Sequence, residues 1–152
     1  PVDLQGNQQW VLGRDPFKFV YHPSLLTSKS KPIDYESLPD HSIFLLESEH
    51  CLSGHAVTAC KLGNTKKVNP FTASSIHSLV QMAESLQGAT FMPQMAINQG
   101  VLENTGLASL PPTEGEAYRE IGLVFRPTTT RRQTFRKVAE VAANLLPVNT
   151  LT

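Results

Sequence analysis

The run Ser42-Ile43-Phe44-Leu45-Leu46 constrains the fold more than any other stretch of this chain. Its apolar residues follow one another without alternation. That suits a strand buried on both faces, and such strands belong to sheets covered by helices. The rest of the pattern agrees. Phe17-Lys18-Phe19-Val20-Tyr21 alternates and is rich in strand formers. The opening through about Arg14 is polar and poorly patterned, so the strand is placed only from Phe17. Residues 23–39, rich in Pro and Ser, read as a connector with a short helical turn near 35–38.

Residues 68–71 form the next expected strand, and Ser74 or Ser75 caps a helix with Ile76, Leu79, Val80, Ala83 and Leu86 on its apolar stripe. Residues 88–92 give a strand closed by Pro93, 95–98 a short helix, and 107–110 a weak strand stopped by Pro111-Pro112. Residues 120–125 form a clear strand. The last helix carries Phe135, Val138, Ala139, Ala142, Leu145 and Leu146 on one face and stops at Pro147. Strands alternating with helices point to an α/β fold with a mostly parallel sheet.

Composition narrows the function. Lys plus Arg equals Asp plus Glu at 13 each, and a net charge of zero argues against a nucleic-acid surface, which needs a basic excess. Arg131, Arg132, Arg136 and Lys137 fall on the last helix and read as its solvated face. No apolar run approaches the ~20 residues of a membrane span, so no membrane partner is expected. No metal or cofactor motif stands out. The chain starts Pro1-Val2-Asp3, as expected of a segment of something longer. Two cysteines in 152 residues do not make a disulfide scaffold, which points to a reducing cytoplasm.

Those cysteines carry the chemistry. Ser48 and Glu49 look like a helix start, so Cys51 falls in or just before the first turn, where unpaired amides and the helix dipole favour a thiolate. His50 and His55 can donate hydrogen bonds or charge, while Glu47 and Glu49 act the other way. Cys60 shares the stripe of Leu52, Ala56 and Ala59 and reads as buried. Nine helical steps turn about 900°, which puts the thiols on opposite faces about 13 Å apart along the axis. A disulfide needs Cα atoms within ~7 Å, so the helix must open for the two to bond. The pair is either a thiol–disulfide switch of this two-state kind or two ordinary buried thiols.

At this point the residues resemble a known family. His50-Cys51-Leu52 with Cys60 is similar to the redox segment of the OxyR family, the peroxide-sensing LysR-type transcription factors. Residues 43–47, Ala73-Ser74-Ser75 with Leu79 and Met82, Gly88-Ala89-Thr90 with Pro93, and the run from Arg119 to Pro127 follow the family's order and spacing. The resemblance covers roughly 17–146.

It implies a regulatory domain like a periplasmic binding protein, with one complete α/β lobe and part of the other. Residues 1–22 would end the first lobe and cross over, 23–118 would form the second lobe with the redox cysteines, and 119–152 would supply the return strand and last helix of the first. It also implies that Cys51 is peroxidatic, Cys60 resolving, and His50 and Arg119 supporting groups. Hydrogen peroxide would be the signal, a glutaredoxin- or thioredoxin-type thiol the reductant, and a homo-oligomer the output. DNA would be bound only through a separate N-terminal helix-turn-helix domain. Ser53 and Pro70 stand where family members carry an arginine and a histidine.

The competing reading is an effector-binding domain, with Thr72, Ser74 and Ser75 at a helix N-terminus holding a small anion in the cleft between lobes. A thiol enzyme ranks last, because no C-x-x-C or thioredoxin-like signature is present.

Overall fold

The structure, a computed structural model, describes residues 4–26, 33–47, 65–112 and 117–150. The chain divides into two compact units: residues 16–118, and residues 1–15 with 119–152.

The larger unit is built on β2 (Ile43–Leu46), in which every side chain is buried. β3 (Val68–Ala73) and β4 (Ala89–Pro93) flank it, both parallel to it. β1 (Gln8–Tyr21) and β5 (Ala108–Leu110) complete the order β3-β2-β4-β1-β5. Here the sheet departs from the expected mostly parallel pattern. β1 runs antiparallel to β4, with Phe17 opposite Pro93 and Tyr21 opposite Ala89, and antiparallel to β5. Crossover connections fix the direction of β2, β3 and β4 alone. β1 comes in from the other unit, so no crossover sets its direction.

Side chains alternate to two cores. Phe17, Phe19, Ile43, Leu45, Ala89 and Phe91 pack on one face with Leu38 and Ala117. Phe19 and Phe91 meet with ring centroids 5.3 Å apart, and Tyr35 touches both. Val20, Phe44, Leu46 and Met92 pack on the other face, under Leu79 and Val80 of α1 (Ile76–Ser85) and beside Ala96 and Ile97 of α2 (Gln94–Asn98). Ser75 caps α1 by accepting the Ser78 amide. Leu86, expected on the stripe of α1, is 62% exposed. The helix ends before it: Gln87 turns the chain at φ 51°, and the Gly88 amide donates to Ala83 O. Gly88 has to be glycine-sized, because a Cβ there would lie 2.6 Å from Ser42 O and against the Phe44 ring.

In the smaller unit, the first half of β1 pairs with β6 (Tyr118–Phe125) and with β7 (Val148–Asn149). Neither that half-strand nor β7 was expected. Trp10-Val11-Leu12 are good strand formers, but Gly13-Arg14-Asp15-Pro16 hide the periodicity. α3 (Arg132–Ala143) packs on this sheet through Ala139 and Ala143, against Leu12 and with Trp10, Leu123 and Leu146 partly buried around them. Small residues at i and i+4 bring the helix close to the sheet. The contact is therefore narrower than the expected apolar face, and Val138 and Leu145 are exposed. Arg132 lies over the Phe125 ring and Arg136 over the Trp10 ring, at 5.7 and 5.8 Å, so the basic cluster is partly a packing feature.

Thr90 is fully buried opposite Val20, and its hydroxyl has no hydrogen-bond partner among the described residues. An unmet buried hydroxyl costs about 1–3 kcal/mol. Thr90→Val keeps the shape and removes that cost. Urea unfolding should show the variant more stable by about 1 kcal/mol; a less stable variant would mean that the hydroxyl is satisfied.

Candidate functional site

Cys51, Cys60 and His50 lie outside the described residues, as do Ser53 and His55. The structure does describe the frame between which the cysteine-bearing stretch runs. At the carboxyl end of β2, the Glu47 amide donates to Ala73 O at 3.0 Å. At the other end, just before β3, the connections are denser. The His41 amide donates to Lys66 O at 2.9 Å, and Asn69 Nδ2 donates to His41 O at 2.7 Å. Lys67 Nζ donates to Leu38 O at 2.7 Å and to Asp40 Oδ1 at 2.9 Å. The Lys67 side chain is only 12% exposed.

β3 reaches this frame with a shift in register. Ile43 faces Val68 but Leu45 faces Thr72, so β3 carries extra residues around Pro70. Proline has no amide to give a ladder, and a bulge in a strand that pairs on one side among the described residues accommodates it.

The Lys67 ammonium, by hydrogen bond and then by charge, holds the Asp40 carboxyl below its ordinary value of 3.8, with smaller help from His41 and Lys66. A depressed carboxylate contributes stability above its unfolded pKa and loses it as pH falls through the folded value. Unfolding midpoints measured from about pH 5 to pH 2 should therefore fall less steeply in Asp40→Asn than in the parent chain. Added salt should shrink the difference, since Asp40 is solvent-facing. Parallel acid limbs would rule out this pair as a contributor.

The three candidate anion-binding residues sit close together in sequence and differ in circumstance. Thr72 is exposed on β3 opposite Leu45, and Ser74 is exposed just beyond it. The Ser75 hydroxyl is committed to the Ser78 amide at 3.1 Å and the Ser78 hydroxyl at 2.9 Å.

Arg119, the second residue of β6, lies in the smaller unit and has a partner that the sequence does not signal. Its Nε and Nη2 both donate to Asp15 Oδ2, at 3.0 and 2.8 Å. Asp15 is fully buried and the Arg119 side chain 22% exposed. The two are 104 positions apart, so no local pattern links them. An acidic residue next to Pro16, within a strand, was the available signal. Removing one member of a buried pair strands the other's charge, at a cost of about 3–5 kcal/mol. Arg119→Met should lower the unfolding free energy by about 3 kcal/mol, and the double variant with Asp15→Asn should lose far less than the sum of the two singles. Additive losses in a urea double-mutant cycle would show that the pair is not coupled.

Among the described residues, no group of His, Cys, Asp and Glu is placed to hold a metal ion, and no helix is long and apolar enough to cross a membrane. Comparison with known proteins places these features in a family. The description "LysR substrate binding domain" matches residues 1–147. A solved structure of the reduced regulatory domain of OxyR2 from Vibrio vulnificus is 50% identical, with a TM-score of 0.89 over 96% of this chain and 68% of that one. The transcriptional regulator EstR of Acinetobacter baylyi is 33% identical over 65% of this chain and 33% of its own length. The hydrogen peroxide-inducible genes activator of Haemophilus influenzae is 30% identical over 82% of this chain and 40% of its own. The chain thus spans a third to two fifths of these two regulators. It belongs to the LysR substrate-binding domains, a family of regulatory domains and not of enzymes, and within it the chain is OxyR-like.

Proposed function

We propose that this chain is the peroxide-sensing part of an OxyR-type regulator, with Cys51 and Cys60 as its reversible switch. The observation that carries the reading is the position of the pair. Both cysteines fall in the stretch that joins β2 to β3, in a chain half identical to an OxyR2 regulatory domain. In an α/β sheet, the carboxyl end of a buried parallel strand is where ligand chemistry collects, and Cys51 follows β2 by five residues.

The chemistry balances without a cofactor. The Cys51 thiolate attacks one oxygen of hydrogen peroxide and the O–O bond breaks. Hydroxide leaves and takes a proton as water, and Cys51 becomes a sulfenic acid. The Cys60 thiolate then attacks that sulfur, the S–O bond breaks, and a second water leaves as the disulfide forms. A dithiol of the glutaredoxin or thioredoxin type returns two electrons and two protons. His50 and Arg119 are the proposed supports of the thiolate, Arg119 with its guanidinium anchored on Asp15.

We assign residues 23–118 to the lobe that carries the switch, and 1–22 with 119–152 to the other. Altered packing of a homo-oligomer is the proposed output, and DNA contact belongs to a separate domain of the full regulator. The alternative, a small-molecule effector held by Thr72, Ser74 and Ser75, has weaker support because the Ser75 hydroxyl is already engaged.

Sub-stoichiometric peroxide added to the reduced protein, followed by peptide mapping in a mass spectrometer, tests the proposal. The expected product is a Cys51–Cys60 disulfide. Cys51→Ser should abolish sulfenic acid, and Cys60→Ser should trap it on Cys51. Absence of the bridge would leave the effector reading in its place, and sustained peroxide turnover with a thiol reductant would point to an enzyme instead.

A further inference from the structure

We infer that the Asp15–Arg119 pair is a latch on the junction of the two units, holding the two strands that cross there as one connection. The chain passes from one unit to the other twice, between Asp15 and Pro16 and again between Tyr118 and Arg119. The buried ion pair joins the two residues that flank these crossings on the smaller unit's side. Arg119 Nε and Nη2 both donate to Asp15 Oδ2, at 3.0 and 2.8 Å. A second tie lies on the other side. The Phe17 amide donates to Ala117 O at 2.8 Å, and both residues belong to the larger unit and its core. The latch owes nothing to the cysteines and goes beyond the redox reading.

Residues 15–17 and 117–119 thus make a closed frame, two short strands with a rung at each end. Each rung lies within one unit, and the backbone runs between them at 15–16 and 118–119. Pro16 occupies the first crossing. Its ring holds φ at about −65° and leaves it no amide, so backbone rotation is already restricted there. Tyr118 and Arg119 have no such restraint of their own. The side-chain rung supplies it, with a planar guanidinium placing two donors on one oxygen of a fully buried carboxylate.

The rungs differ in kind. A neutral backbone bond such as Phe17–Ala117 opens at modest net cost. A buried charge pair opens only by leaving a carboxylate without its partner, away from water. The pair is therefore the stiffer rung, and it resists a separation of the strands that the backbone bond alone would permit. Two independent single-chain links would flex one at a time. With the latch in place, both crossings bend together or not at all.

Amide hydrogen exchange of the reduced protein, followed residue by residue by NMR, tests the latch. The reporter is the Phe17 amide. The reference is the Ala89 amide, which donates to Ser42 O inside the larger unit. Arg119→Lys keeps the charge but loses the two-pronged donor set. It should speed exchange at Phe17 about tenfold relative to Ala89. The double variant Asp15→Asn with Arg119→Met removes the latch without stranding a charge. It should regain most of the stability lost in Arg119→Met, yet keep Phe17 exchange about tenfold faster than in the parent chain. If Phe17 and Ala89 accelerate together, the pair only stabilises the whole fold and the latch is overturned. A Phe17 rate that stays at the parent value in either variant overturns it too. Should Arg119→Lys fail to fold, the double variant decides between the same outcomes.

Discussion

Four consecutive buried side chains in β2 leave the backbone one solution. Both faces must be covered and both edges paired, because its amides and carbonyls have no water to turn to. β3 and β4 meet the second demand in parallel, and parallel neighbours need crossovers. α1 covers one face with Leu79 and Val80, and the connector residues Ile33, Tyr35 and Leu38 cover the other. The requirement also creates the functional geometry. A stretch that must run from the end of β2 to the start of β3 has fixed ends and a set distance to span.

β1 carries a second constraint. It contributes residues to both units, and Asp15, the last residue of the smaller unit's share, is fully buried with Arg119 as its partner. A buried pair of this kind adds little net stability over apolar residues, yet it is costly to break. What it does secure is the place of a guanidinium. An arginine side chain carries large rotamer freedom, and two of its donors on one buried carboxylate oxygen remove most of it. That is the condition for a fixed positive charge to act on anything else.

What the sequence revealed follows from the range of the forces involved. β2, α1, β4 and β6 were legible because burial repeats at the helix or strand period along a few neighbouring residues. Their bounds follow local signals such as the Ser75 cap and the stop near Pro93. The first half of β1 was not legible, since Gly13 is placed by its close approach to Val148 O and Asp15 by an arginine far along the chain. Leu86 looked apolar and in phase, but a turn through Gln87 at positive φ ended the helix first. The stripe expected on α3 is wider than the contact because Ala139 and Ala143 form its buried centre, while Val138 and Leu145 stay exposed. The antiparallel setting of β1 is a matter of topology, which periodicity does not carry.

The cysteines present the reverse case. Their spacing was the plainest signal in the sequence, and both fall in the stretch that joins β2 to β3, outside the described residues. Lys67 is the opposite case, a basic residue beside Lys66 before a strand with no local signal of its partners. Those partners are Leu38 O and Asp40, on the far side of β2 in sequence and next to it in space. Selection for a switch acts on the free-energy gap between two states, and any group whose contacts differ between them shifts that gap.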